Sequence, residues 1–125
     1  MATILVIDDN DPVRGFLRAV LEGQGHTVTE ANQGRTAFHY LRQSPVDLVL
    51  TDIYMPDCDG LEVIMTLRRE FPSVRIVAIS GGSGDRNLLV AARQLGAHDV
   101  LEKPISMVDL LKSVAAALND EPASG

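Results

Sequence analysis

The sequence predicts an α/β fold: a doubly wound, five-stranded parallel sheet of order 2-1-3-4-5 with helices on both faces. Three observations predict it. Short apolar runs alternate five times with segments of helical period, as successive strand–helix–strand units require. The first, third and fourth runs are almost purely apolar and suit interior strands, whereas the second and fifth carry polar residues and suit the edges. Two of the interior runs stop on aspartates, Asp8-Asp9 and Asp52, and open α/β sheets build their sites just beyond the carboxyl ends of strands.

Residues 2–7 form a continuous apolar run and the first strand. Asp11 offers an N-cap with Pro12 at the first helical position, and Val13, Phe16, Leu17, Val20 and Leu21 follow on one helix face. Gly23 and Gly25 stop that helix. Residues 27–31 alternate and give the second strand. Residues 33–42 give the second helix with Ala37, Phe38 and Leu41 inward, closed by Ser44-Pro45. The third strand spans 47–51. Leu61, Ile64, Leu67, Arg68 and Phe71 carry the third helix, which Pro72 ends. The fourth strand spans 74–79, and residues 80–84 are a glycine-rich loop. Leu88, Ala91, Ala92 and Leu95 mark the fourth helix, ended by Gly96. Residues 98–102 are a short fifth strand, Lys103-Pro104 a turn, and Val108, Leu111, Val114, Ala115 and Leu118 the last helix face.

At 125 residues the chain has the length of one domain, taken as residues 1–120 with a flexible tail at 121–125. A formal charge of −6 argues against a basic nucleic-acid-binding face. The single cysteine, Cys58, excludes an internal disulfide and a paired-cysteine metal knuckle. No run approaches the length of a membrane span, and no secretory leader is visible, so a cytoplasmic location is expected. Order 2-1-3-4-5 sets the first and third strands side by side. Asp8, Asp9 and Asp52 then converge, and three like charges repel unless a cation sits among them; a divalent metal with oxygen ligands answers that need.

Asp8-Asp9 after strand one, D-x-x-M-P-x-x-D-G from Asp52 to Gly60, Ser80 after strand four and Lys103-Pro104 after strand five together resemble the receiver domain of bacterial response regulators, chemotaxis-type members of two-component signalling, with a flavodoxin-like (βα)5 fold. The resemblance covers residues 2–118 or so. It implies that Asp52 accepts a phosphoryl group from a phosphohistidine on a sensor histidine kinase or phosphotransfer protein. It further implies Mg2+ bound by Asp9 and Asp52, by Asp8 largely through water, and by the backbone carbonyl of Tyr54. Lys103 would pair with the phosphoryl oxygens and Ser80 would hydrogen-bond one of them. The Lys103-Pro104 peptide would be cis. The domain would be a switch rather than an enzyme, meeting a downstream protein through its fourth helix, fifth strand and fifth helix, with no direct contact to nucleic acid or membrane.

Elementary chemistry agrees with these roles. Phosphoryl transfer is mostly positioning and charge neutralisation, a carboxylate nucleophile needs a metal to meet an anionic substrate, and a lysine ammonium is a compact point charge. Taken singly, each residue has a plain structural use: aspartates at strand ends favour turns, and Ser80 and Lys103 suit a loop and a surface. Arg68-Arg69 reads as a solvated helix face. His26, His39 and His98 have no metal-pair spacing, and Cys58 has no neighbouring cation in sequence to activate it. Two rivals share the fold. A flavodoxin-like carrier would cradle phosphate after strand one, where Asp8-Asp9 would repel it. A phosphohydrolase with an aspartyl nucleophile would show D-x-D there, and Asp9 is followed by Asn10 and Asp11. One slot departs from the family: Val100 stands where an aromatic usually relays the signal. A short β-branched side chain cannot swing a large surface, so the 80–84 loop is expected to carry the switch instead.

Overall fold

The structure, a computed structural model, describes residues 2–55, 58–81 and 86–119. Five parallel strands, β1 (Thr3–Ile7), β2 (Thr27–Ala31), β3 (Leu48–Asp52), β4 (Arg75–Ser80) and β5 (Asp99–Glu102), form one sheet of order β2-β1-β3-β4-β5. Five helices connect or follow them: α1 (Asp11–Gly23), α2 (Gly34–Gln43), α3 (Gly60–Glu70), α4 (Arg86–Leu95) and α5 (Met107–Asn119). The expected order of the main sheet and its covering by five helices hold. The 121–125 tail lies outside the described residues, as does the interior of the 80–84 loop.

Alternation along the interior strands builds two cores. Leu5, Ile7, Val49, Ile76 and Ala78 face α2, α3 and α4 through Ala37, Leu41, Val63, Ile64, Leu67 and Ala92. Ile4, Val6, Leu48, Leu50, Val77 and Ile79 face α1 and α5 through Leu17, Leu21, Leu110, Val114 and Ala117. A strand buried on both faces is apolar along most of its length, which is why β1, β3 and β4 read as runs that turn polar only toward their ends.

Several boundaries and faces differ from expectation. The cap of α1 is Asn10, not Asp11: its side-chain oxygen accepts the Val13 amide at 3.0 Å, so Asp11 and Pro12 lie inside the first turn. Phe16, expected inward, is 40% exposed, while Leu17 and Leu21 carry that helix. On α5 the expected Val114 is buried and Leu118 packs beside it, but Val108 is 57% exposed and Leu110 and Ala117 complete the inward face. That helix is apolar nearly all round, so its period alone selects no face. Arg68 is no solvated cation; its Nη1 donates to the Val74 carbonyl at 3.0 Å. The turn after Asp52 also holds two short antiparallel strands, Tyr54–Met55 and Cys58–Asp59.

Glycine 60 opens α3 against the backbone that follows β3. A Cβ there would lie 2.1 Å from the Ile53 Cα, so no side chain fits. Gly60→Ala should cost about 2–3 kcal/mol, the penalty of overpacking against an immovable backbone. Gly15, in the middle of α1, has nothing within 4 Å of a built Cβ. Gly15→Ala should therefore stabilise by about 0.5–1 kcal/mol through helix propensity alone. Paired urea titrations check both signs, and a stable Gly60→Ala protein would refute the close approach.

Candidate functional site

The parallel register assembles the site. Ile7 pairs with Thr51, so the residues that follow, Asp8 and Asp52, leave neighbouring strands side by side. Asp52 is the last residue of β3, one position later in the strand than the sequence suggested. Its partner on β4 is Ile79, and Ser80 ends that strand. The Lys103 amide donates to the Ser80 carbonyl at 3.0 Å, extending the β4–β5 ladder to the lysine. The Lys103-Pro104 peptide is cis.

Carboxylate oxygens of Asp8, Asp9 and Asp52 all lie within 4.8 Å of one another. Asp8 is fully buried, Asp52 is 2% exposed and Asp9 faces solvent. Lys103 Nζ lies 3.1 Å from Asp8 Oδ2 and 3.1 Å from Asp52 Oδ2. The contact to Asp52 is also a hydrogen bond. The contact to Asp8 is an ion pair only, and Asp8 Oδ2 is buried without a hydrogen-bond partner among the described residues. Burial pulls the Lys103 ammonium toward deprotonation, but the close carboxylates of Asp8 and Asp52 outweigh it and hold its pKa above the usual lysine range.

One ammonium against three carboxylates leaves the pocket net negative. A buried oxygen held by an ion pair without a hydrogen bond, an all-oxygen donor set and an excess of negative charge fit a hard divalent cation. Asp8 turns Oδ2 toward Lys103, while its Oδ1 accepts the Asn10 amide at 2.9 Å. Ser80 is buried at the end of β4. Tyr54 begins the first short strand, its backbone paired with Asp59. Val100 is half-buried against the α2–α3–α4 core.

One participant, Arg14, went unnoticed in the sequence, and two of the histidines make contacts at the opposite, amino ends of the strands. Arg14 on α1 donates from Nη1 to the backbone carbonyl of Asp8 at 2.6 Å. Its ion-pair partner Glu30 lies 16 positions away, and only the β1–β2 pairing brings them together. His26 Nδ1 accepts the Ala2 amide at 3.1 Å, and His98 Nδ1 accepts the Ile76 amide at 3.1 Å. Each histidine stands directly before an edge strand, the only signal it gave. Burial holds the His26 pKa below its usual value, as suits a neutral acceptor.

Comparison with known proteins places this geometry. The family profile described as the response regulator receiver domain matches residues 4–115. The CAI-1 autoinducer sensor kinase/phosphatase CqsS of Vibrio cholerae is 36% identical over 115 residues, 90% of this chain and 17% of its own length. The KDP operon transcriptional regulatory protein KdpE of Escherichia coli is 32% identical over 124 residues, 99% of this chain and 54% of its own. This chain thus spans about half or less of these relatives. The crystal structure of the receiver domain of NtrX from Brucella abortus superposes with a TM-score of 0.90 at 29% identity, covering 94% of this chain and 99% of that one. Fold, acidic cluster and profile agree: the chain belongs to the response regulator receiver domain family, the phosphoacceptor module of two-component signalling.

Proposed function

We propose that Asp52 is the phosphoacceptor of this domain, that Asp8, Asp9 and Asp52 with the Tyr54 carbonyl hold Mg2+, and that Lys103 and Ser80 receive the phosphoryl oxygens. The observation that carries this reading is the convergence of three carboxylates and one ammonium at the carboxyl ends of β1, β3 and β5. A carboxylate oxygen of Asp52 forms the new P–O bond as the P–N bond of the donor phosphohistidine breaks and its electron pair returns to the imidazole. Bound Mg2+ supplies charge neutralisation between the anionic nucleophile and the anionic phosphoryl group. Lys103, already poised between Asp8 and Asp52, exchanges a carboxylate partner for a phosphoryl oxygen. The Ser80 hydroxyl, at the end of the neighbouring strand, donates to another.

The domain acts as a switch rather than an enzyme, working in the cytoplasm. No helix among the described residues is long and apolar enough to cross a membrane. A sensor histidine kinase or phosphotransfer protein is the donor. An apolar hollow beside Lys103, lined by Pro12, Val13, Phe16, Pro104 and Ile105, offers the donor a contact surface. The downstream target is a protein bound on the α4–β5–α5 face rather than nucleic acid. Val90 on α4 and Met107 and Val108 on α5 are each more than half exposed, and they supply apolar area there.

Mg2+ binding tests the reading directly. At a hundred times its dissociation constant the ion should stabilise the fold by about 2.7 kcal/mol. Thermal melts with and without millimolar Mg2+ read the shift, and an unchanged midpoint rejects the metal site.

A further inference from the structure

We infer that Arg14 is a positioning residue for the metal site: by holding the carbonyl of Asp8 it sets how the Asp8 and Asp9 carboxylates stand relative to Asp52, and so sets the affinity for the divalent cation. The inference rests on the Mg2+ reading above.

The guanidinium is a three-way clamp. Its Nη1 donates to the Asp8 carbonyl at 2.6 Å, its Nε donates to Glu30 Oε1 at 3.1 Å, and its Nη2 pairs with Asp11. The end of β1, strand β2 and the first turn of α1 therefore meet on one side chain, itself only 14% exposed. Two other hydrogen bonds restrain Asp8. Its amide donates to the Ala31 carbonyl at 3.1 Å, and its Oδ1 accepts the Asn10 amide. The Ala31 bond acts on the peptide before Asp8; the Asn10 bond closes a turn across the Asp8–Asp9 peptide from the side-chain side, and the Arg14 bond holds the carbonyl of that same peptide. The peptide plane is rigid and contains the Asp8 carbonyl, so fixing the carbonyl fixes the direction in which Asp9 leaves. Asp9 is exposed, and its side chain makes no hydrogen bond among the described residues. Its placement thus follows the backbone, and Arg14 holds the backbone.

Charge and position predict opposite signs. Were Arg14 merely a nearby cation, removing it would make the pocket more negative and tighten cation binding. As a clamp, its loss frees the Asp8–Asp9 peptide and weakens binding. Arg18 is a matched control. It shares Glu30 at 2.9 Å and also pairs with Glu22, but it makes no contact with the acidic turn.

Calorimetric titration of Mg2+ into the wild-type chain, Arg14→Gln, Arg14→Lys and Arg18→Gln, beside metal-free melts of each, tests the inference. Arg14→Gln should bind about tenfold more weakly, as loss of a partner that orients a metal ligand does. Arg14→Lys keeps the charge without the fork and should remain weaker than wild type by about threefold or more. Arg18→Gln should stay within about twofold of wild type, because it loses only exposed ion pairs. Wild-type or tighter binding by Arg14→Gln overturns the inference, as does full recovery in Arg14→Lys. Should the glutamine variant fail to fold, the lysine variant decides. A wild-type chain that binds no Mg2+ removes the metal reading and this inference with it, an outcome distinct from one confined to the Arg14 variants.

Discussion

Lys103→Met is expected to destabilise the metal-free protein by about 3–5 kcal/mol, the cost of removing one partner from a buried ion pair. Asp8 and Asp52 are both buried, and the Lys103 ammonium lies 3.1 Å from each. Without it two carboxylates face each other away from water with no counter-charge. Methionine keeps the aliphatic stem, so lost packing adds little. Urea denaturation at neutral pH measures the loss, and saturating Mg2+ should restore part of it by supplying the missing positive charge. The pH dependence has a definite sign. Burial favours the neutral amine, but Asp8 and Asp52 more than offset it and raise the folded pKa above 10.5. The stabilisation is therefore complete below the unfolded lysine value, about 10.4, and disappears as pH rises through the higher folded value. Wild type should lose stability on that alkaline limb, and Lys103→Met should lose less there. A methionine variant as stable as wild type in metal-free buffer would show that the ion pair holds nothing together.

The acidic pocket was legible in the sequence because strand ends are. An apolar run that stops on a carboxylate places it at the rim of the sheet, and the edge or interior character of each run gives the order that brings two rims together. Asp8, Asp52, Ser80 and Lys103 each needed only the end of a strand to be located. The cap of α1 was harder, since Asn10 and Asp11 are equally good caps by type. The choice fell to Asn10, whose amide is already tied to Asp8 Oδ1, so its own side chain faces the Val13 amide. On α5 the stripe was read only in part, with Val114 and Leu118 right and Val108 wrong, for a different reason. Nearly every position from Met107 to Leu118 is apolar or small, and only contact with β4 and β5 selects Leu110, Val114 and Ala117. The contacts of Arg14, His26 and His98 were invisible because their partners are backbone atoms or residues on neighbouring strands. A hydrogen bond to a carbonyl leaves no residue type to find. Pattern reading locates what strand ends carry and misses what tertiary contacts recruit.

Asp52→Asn is expected to abolish phosphorylation. With acetyl phosphate and Mg2+ the wild-type chain should take up a single phosphoryl group, and the variant none. The substitution is close to isosteric at a residue 2% exposed, the last of β3, so the strand and its pairing with β4 remain. On the proposed reading it removes the anionic oxygen that forms the P–O bond; an amide oxygen is a poor nucleophile, and its neighbour becomes an NH2 donor. Neither neighbour can substitute. Asp8 is fully buried with Oδ1 engaged by the Asn10 amide and Oδ2 facing Lys103. Asp9 is exposed at the rim, outside the contact that Lys103 makes with the other two carboxylates. The variant also retains Asp8 as a partner for Lys103, so the fold keeps its buried counter-charge and the missing label reports chemistry rather than unfolding. Intact-mass spectrometry gives the yield, and peptide mapping after reductive trapping of the acyl phosphate gives the position. A label on any residue other than Asp52, or undiminished uptake by Asp52→Asn, would move the nucleophile elsewhere in the chain.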